Sequence, residues 1–364
     1  MEQIQHKDHF HGSDLEKIEQ IYGIRKEEII SFSANVNPLG ISPRLRQGLA
    51  EHVDAIASYP DREYTALRRC ISQYVGCDME QVIVGNGSTE LISLFIDFIH
   101  PKRALILGPT YSEYERSVSL SGGSSHYYPL HAKEDFILHT EDLCAKLAEG
   151  YQLLILCNPN NPTSTLIPRQ QMRRILDTCK MLGTYVLVDE TYIEFTSDVT
   201  ASSSVPLARD YNNLIILRGT SKFFAAPGLR LGYAVLGNPD MISTIRRVKN
   251  PWMINALADV AGQLMFADED YKEKTRHLIL SERKRLYQLF LTSGRFRPYA
   301  PQANFMLLGI KDPTLNAADL FDRCIRQKMM IRDCSTFPFL SDRYIRFCFM
   351  KPEDNDRLTA LLLS

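Results

Sequence analysis

Five loops in this chain carry residues suited to chemistry rather than packing. Lys222 follows Gly219-Thr220-Ser221 at the end of an apolar run, Leu214 to Leu217. An amine there can condense with an aldehyde to a Schiff base, provided that burial or a nearby charge lowers its hold on a proton. On its own, a lysine after a strand is usually just solvated. Asp189-Glu190 ends a second apolar run, Tyr185 to Val188. A carboxylate at the tip of a buried strand is costly unless it meets a cation; a helix cap or a plain ion pair is the other reading. Tyr192, three residues on, can aim its hydroxyl at the same place. Asn158-Pro159-Asn160-Asn161-Pro162-Thr163 follows a third run, Leu153 to Cys157, and its prolines fix side-chain amides in a rigid turn. Gly85-Asn86-Gly87-Ser88-Thr89 opens a helix after a fourth. Its glycines let backbone approach a ligand, and free amides at a helix start attract an anion such as phosphate, although such starts are also common caps. Arg230 lies eight residues after Lys222, within Pro227-Gly228-Leu229-Arg230-Leu231-Gly232-Tyr233.

An amine, a carboxylate, a phenol, a fixed amide and a phosphate cradle with an arginine are the set that pyridoxal 5'-phosphate needs. The lysine would condense with its aldehyde, and the carboxylate would keep its ring nitrogen protonated, so that the ring acts as an electron sink.

For these loops to meet, the runs before them must lie side by side. Gln81 to Val84, Ala104 to Leu107, Leu153 to Cys157, Tyr185 to Val188 and Leu214 to Leu217 read as short buried strands. Thr89 to His100, Tyr111 to Leu120 and Arg169 to Leu182 read as helices between them. The alternation predicts an α/β fold with a mostly parallel sheet covered by helices on both faces, whose ligands bind at the carboxyl ends of the strands. After about residue 240 the texture changes. Asp268 to Leu291 reads as one long helix, followed by strand Phe305 to Leu308, helix Ala317 to Lys328, strands Met330 to Arg332 and Tyr344 to Phe349, and a helix from Pro352. The expected division is a large domain over 41–245, with 1–40 and 246–364 forming an amino-terminal arm and a small α+β domain.

The 364 residues, 45% hydrophobic and 23% charged, describe an ordinary globular chain rather than a disordered or low-complexity one. A net charge of -1 gives no basic surface, so neither nucleic acid nor an anionic membrane is an expected partner. No apolar run reaches the length of a membrane span, and Met1 to Phe10 lacks an apolar signal core, so a cytoplasmic protein is expected. None of the eight cysteines forms a Cys-x-x-Cys pair, which points to reduced, mostly buried thiols. His6, His9 and His11 cluster without a matching metal-ligand motif, so no metal is expected.

The order Asn-Pro-Asn-Asn-Pro-Thr, Asp-Glu-x-Tyr, Ser-Lys and then arginine resembles the fold-type I pyridoxal-phosphate enzymes of the class I/II aminotransferase family. The resemblance runs over nearly the whole chain. It implies that Lys222 is the Schiff-base lysine and Asp189 the partner of the ring nitrogen, with Tyr192 and Asn161 at the cofactor's 3-oxygen and Tyr111 stacked on its ring. Arg230, Ser88, Thr89 and Ser221 would hold its phosphate. Tyr64, at the end of Tyr59-Pro60-Asp61-Arg62-Glu63-Tyr64, would reach the phosphate in the other subunit of a homodimer whose site lies at the interface. Arg346 matches the arginine that grips a substrate α-carboxylate.

Two positions depart from the pattern: Ser164 stands where the family usually has Gly, and Gly219 where it usually has Ser or Thr. Within the family, Phe32 to Gly40, Asn250-Pro251-Trp252 with Asn255 to Ala258, and His11 to Asp14 resemble the threonine-phosphate decarboxylases of cobalamin biosynthesis; histidinol-phosphate aminotransferases are the next nearest. The first resemblance implies loss of carbon dioxide from L-threonine O-3-phosphate, with Arg332, His11 and Asn37 at the substrate phosphate; the second implies amino transfer.

Overall fold

In the computed structural model, which describes residues 14–364, seven strands form the central sheet. They are β1 (Val82–Gly85), β2 (Arg103–Gly108), β3 (Ser124–Pro129), β4 (Leu153–Cys157), β5 (Tyr185–Asp189), β6 (Leu214–Gly219) and β7 (Gly232–Leu236). Their order is β1-β7-β6-β5-β4-β2-β3, and only β7 runs antiparallel to its neighbours. Register sets Cys157 beside Asp189 and Asp189 beside Leu217, so the loops after β4, β5 and β6 leave the sheet along one edge.

Alternate residues of each strand feed opposite cores. Leu154, Leu156, Val186, Val188 and Ile216 join one hydrophobic cluster, while Ile155, Cys157, Leu187, Ile215 and Leu217 join another. Helix Arg169–Leu182 covers the first face through Met172, Ile175, Leu176 and Cys179. Helix Ser88–Ile99 covers the second through Leu91, Ile92, Phe95 and Ile96. A strand covered on both sides is apolar throughout, which is why these runs are visible in the sequence. The expected α/β architecture with a mostly parallel, helix-covered sheet is the observed one.

A second sheet is antiparallel throughout: β8 (Phe296–Pro298), β9 (Phe305–Ile310), β10 (Arg332–Asp333) and β11 (Tyr344–Cys348), in the order β10-β11-β9-β8. The long helix Glu269–Leu291 packs on it through Phe290, which meets the ring of Phe347. Ile30–Ser31 pairs in parallel with Met329–Met330, which ties the amino-terminal segment to this part of the chain.

Some elements differ from the reading of the sequence. The single strand expected over Met330 to Arg332 is two short strands in different sheets, separated by the fully buried Ile331. Strand β3 was not anticipated, because Ser124-Ser125-His126-Tyr127-Tyr128-Pro129 lies half-exposed at the sheet edge and lacks an apolar signature. The helix after β2 begins at Glu113 rather than Tyr111, which leaves Tyr111 in the loop. All eight cysteines are free thiols. Among the described residues, no helix is long and apolar enough to cross a membrane.

Candidate active site

Lys222 follows β6 and is partly buried; its Nζ donates to the carbonyl of Ala34 at 2.6 Å. Burial, and then the positive charge of Arg346, brings its amine down to about 8. An amine so lowered is deprotonated in substantial fraction near neutrality and can attack a carbonyl.

Asp189 ends β5 and is buried. Burial raises its carboxyl above the ordinary carboxylate range, while hydrogen bonds oppose that rise. Its Oδ1 accepts from Thr191 N at 2.9 Å and Thr191 Oγ1 at 2.6 Å, and its Oδ2 accepts from Tyr114 Oη at 2.7 Å.

The asparagine loop is held from within. Asn158 Oδ1 accepts from Ile167 N at 2.7 Å, and Asn160 Nδ2 donates to Pro109 O at 2.9 Å. Asn161 turns toward the small sheet, where its Oδ1 accepts from Arg346 Nη1. The hydroxyl of Tyr192 accepts from Asn35 Nδ2 at 3.3 Å, and its ring lies edge-on to Phe305 at 4.9 Å. The tips of the large sheet, the small sheet and the segment around residue 35 therefore converge on one place.

Ser88 and Thr89 open helix Ser88–Ile99, with Gly87 at its N-cap at φ 85°. Arg230, itself at φ 55°, lies over Gly87, and a Cβ on Gly232 would come within 2.6 Å of Gly87 C and Ser88 N. The absent side chains let Arg230 and the strand at Gly232 crowd against the start of the helix. Ser221 is partly buried beside Lys222. Tyr111 lies at the same mouth, its phenol raised to about 12 by burial and by Glu113.

Of the two departures from the family pattern, Ser164 finds a physical reading and nothing in the structure explains Gly219. Ser164 adopts φ 61°, where glycine is ordinarily favoured, and its Oγ accepts from Gln302 N at 3.0 Å and Ala303 N at 2.8 Å. Gln302 N also donates to the Ser164 carbonyl at 2.9 Å, which a glycine would offer too, so what the hydroxyl adds is an acceptor for Ala303 N. At Gly219 the nearest atom to a built Cβ is Ser88 Oγ at 3.5 Å, an ordinary contact, so a larger residue would fit.

On the small sheet, Arg346 and Arg332 sit directly opposite one another across β11 and β10. Arg346 is buried; Nη2 donates to Ser33 O at 2.6 Å, and Nε has no partner among the described residues. Arg332 donates to Thr336 Oγ1 at 3.0 Å and lies 5.3 Å from the centre of the Phe337 ring. Neither guanidinium makes a salt bridge within 4.0 Å among the described residues, although the charges of Asp333 and Asp14 act on Arg332, against its burial and the charge of Arg346. Like charges facing each other across a sheet are unfavourable without an anion between them.

Two expectations change. Asn37 is buried and spends its amide on Phe223 O at 2.8 Å, Tyr271 Oη at 2.9 Å and Thr275 Oγ1 at 2.8 Å, so it braces the segment after Lys222 instead of facing the arginines. Its backbone N also donates to Lys222 O at 3.0 Å. Tyr64 is buried, with its hydroxyl donating to Ile254 O at 2.9 Å and accepting from Ile254 N at 3.0 Å, so it is held inside its own chain. Tyr59, in the same hexapeptide, is 82% exposed and packs, tilted at 42°, against Trp252 with 4.8 Å between ring centres. His11 lies outside the described residues. Tyr114 and Thr191 were missed; helical spacing marks Tyr114 only as a core aromatic.

The donor set fits pyridoxal phosphate on its own chemistry: a lowered amine, a buried carboxylate with a lone pair to spare, and an anion cradle beside an arginine. Comparison with known proteins agrees. The family model for class I and II aminotransferases matches residues 27–362. Threonine-phosphate decarboxylase of Salmonella typhimurium is 32% identical over 352 residues, 97% of this chain and 95% of that protein. Histidinol-phosphate aminotransferase of Methanothermobacter thermautotrophicus is 31% identical over 357 residues, 96% and 92% of the two chains. The crystal structure of histidinol-phosphate aminotransferase from Clostridium acetobutylicum superposes with a TM-score of 0.85 at 32% identity, covering 91% of this chain and 97% of that one. An amine, a carboxylate and an anion cradle brought together by a fold of this kind leave one conclusion: the chain belongs to the class I and II aminotransferase family, and its cofactor is pyridoxal 5'-phosphate.

Proposed function

We propose that this enzyme decarboxylates L-threonine O-3-phosphate to (R)-1-amino-2-propanol phosphate, in a homodimer. The observation that carries this reading is the facing pair Arg346 and Arg332, two guanidiniums with no salt bridge among the described residues. A substrate with both a carboxylate and a phosphate supplies the two missing anions, and each planar fork matches two oxygens of its group.

In this reading Asp189 holds a proton on the cofactor's ring nitrogen, Tyr192 and Asn161 sit at its 3-oxygen, Tyr111 lies against its face, and Ser88, Thr89, Ser221 and Arg230 hold its phosphate. Bound pyridoxal phosphate supplies the electron sink for the pair released when a bond at the substrate α-carbon breaks. Arg346 takes the carboxylate and Arg332 the phosphate. Gripping both ends fixes the torsion about the α-carbon, and that torsion selects the bond that stands perpendicular to the ring. Lys222, with its amine near 8, can return a proton to the α-carbon after carbon dioxide leaves.

A second reading is amino transfer from histidinol phosphate to 2-oxoglutarate. A relative 31% identical bears that name, and the two carboxylates of 2-oxoglutarate also match two arginines. The homodimer rests on the exposed apolar group Val53, Ile56, Tyr59 and Trp252, with Tyr59 rather than Tyr64 available to reach a partner's cofactor phosphate. Purified enzyme incubated with L-threonine O-3-phosphate is expected to release one equivalent of carbon dioxide per product. Glutamate formed from 2-oxoglutarate as histidinol phosphate is converted to its ketone, with no carbon dioxide from L-threonine O-3-phosphate, would install the second reading in its place.

A further inference from the structure

Asp189 has about four lone-pair directions on its two oxygens. The chain fills three: Thr191 N and Thr191 Oγ1 on Oδ1, and Tyr114 Oη on Oδ2. One direction, on Oδ2, is left. Tyr114 is 1% exposed, and its hydroxyl lies at 2.7 Å, a length typical of a bond from a neutral hydroxyl to a carboxylate. The same ring meets Tyr111 edge-on, 5.6 Å between centres at 86°. One buried side chain thus touches the residue assigned to the cofactor's nitrogen and the residue assigned to its face.

We propose that Tyr114 is a positioning residue of this site: its hydroxyl pins Asp189 so that the single remaining lone pair on Oδ2 meets the cofactor's ring nitrogen, and its ring supports Tyr111. The inference rests on the reading that Asp189 faces that nitrogen.

The chemistry favours a phenol here. Burial and the Asp189 charge drive the Tyr114 phenol well above 10, so it donates at every working pH and never adds a charge of its own. A cationic donor would compete with the ring nitrogen for the same carboxylate; a neutral one leaves the full negative charge for it. Burial pushes the Asp189 carboxyl toward its neutral form, and the hydroxyl bond pushes it back. Without that bond Asp189 is a weaker partner for a protonated nitrogen, and it is free to rotate.

Tyr114→Phe keeps the ring on Tyr111 and removes only the hydroxyl. Relative to wild-type holoenzyme, it should bind pyridoxal phosphate about tenfold to a hundredfold more weakly, the loss typical of one hydrogen bond to a buried charge. The pH at which the bound cofactor's visible band changes should move up, by about one unit, because a less firmly protonated ring nitrogen draws less charge from the lysine-linked carbon. In an Asp189→Asn background the same substitution should shift neither quantity further, since the hydroxyl then has no carboxylate to hold. Tyr114→Leu should weaken binding beyond Tyr114→Phe by the loss of the ring under Tyr111. A Tyr114→Phe holoenzyme with wild-type affinity and an unmoved band would overturn the proposal, as would shifts of equal size with Asp189 intact and in the Asp189→Asn background. Failure of the wild-type protein to take up pyridoxal phosphate would instead strike at the cofactor reading beneath it.

Discussion

The tips of the large sheet and the arginine pair of the small sheet are built on opposite principles. At the large sheet nearly every polar group is satisfied by its own chain: Asp189 by Thr191 and Tyr114, Asn160 by Pro109 and Thr163, Lys222 by Ala34. At the small sheet Arg346 Nε has no partner among the described residues, and Arg332 faces it beside Thr336, the Phe337 ring and the charges of Asp333 and Asp14. A cofactor stays through many turnovers, so its seat can be completed in advance with fixed hydrogen bonds. A substrate must arrive and leave, so in the proposed reading the charges that would recognise it stay incomplete until it binds. The first region therefore contributes to the stability of the protein, and the second, in the proposed reading, holds an unfavourable charge pairing that a bound anion would relieve.

The largest effect is expected at Lys222. Lys222→Ala should lower turnover by on the order of 10⁴-fold or more, since it removes the amine assigned to the cofactor's aldehyde. Stability should move the other way. With its amine lowered to about 8 from 10.5, the cofactor-free fold binds fewer protons than the unfolded chain between those values, so stability rises with pH across that window. Below about 8 the full cost of burying the charge is present, and Lys222→Ala removes it. Thermal melts of the two apoproteins should show the variant ahead at pH 7, with the gap closing toward pH 10.5.

Next comes Arg332. Arg332→Ala should lower kcat/KM on L-threonine O-3-phosphate by about 30- to 1000-fold, and far less on unphosphorylated threonine. The apoprotein should melt no lower than wild type, because a like-charge pairing has gone. A parallel loss of stability and activity would mean that the two regions are built alike after all.

Ser164 tests the prebuilt side. Ser164→Ala keeps the strained φ of 61° and deletes the acceptor for Ala303 N, while Gln302 N keeps the Ser164 carbonyl, which should cost about 1–3 kcal/mol in urea unfolding. The smallest effect is expected at Gly219, where a Cβ fits beside Ser88. Gly219→Ser should tighten pyridoxal phosphate binding by about twofold to tenfold through one added hydroxyl, read by equilibrium dialysis.

Much of this was legible in order. Strands β4, β5 and β6 announce themselves as apolar runs because both faces are covered, and each ends in a chemical residue because a parallel sheet delivers all its carboxyl ends to one edge. The asparagine loop and Asp189-Glu190 could be placed at strand tips from sequence alone. The half-exposed edge strand β3 and the split at Ile331 could not, since neither changes the local pattern.

Which residues carry the chemistry, and in what chain order, was thus written locally: a side chain's type and its place at the end of a strand depend on neighbours a few positions away. What each side chain touches was not. Asn37 stands amid a recognisable motif, yet Tyr271 and Thr275 on a helix more than 200 positions later claim its amide. Tyr64 and Tyr59 share one hexapeptide, and only the packing of Ile254 separates the buried hydroxyl from the exposed one. Arg332 and Arg346 oppose each other because strand order pairs them, and Tyr114 reaches Asp189 because a helix crosses the sheet at that point. Hydrogen bonds act over about 3 Å of space regardless of chain separation, so partners far apart in the chain are fixed by the fold, after the local pattern has fixed the elements.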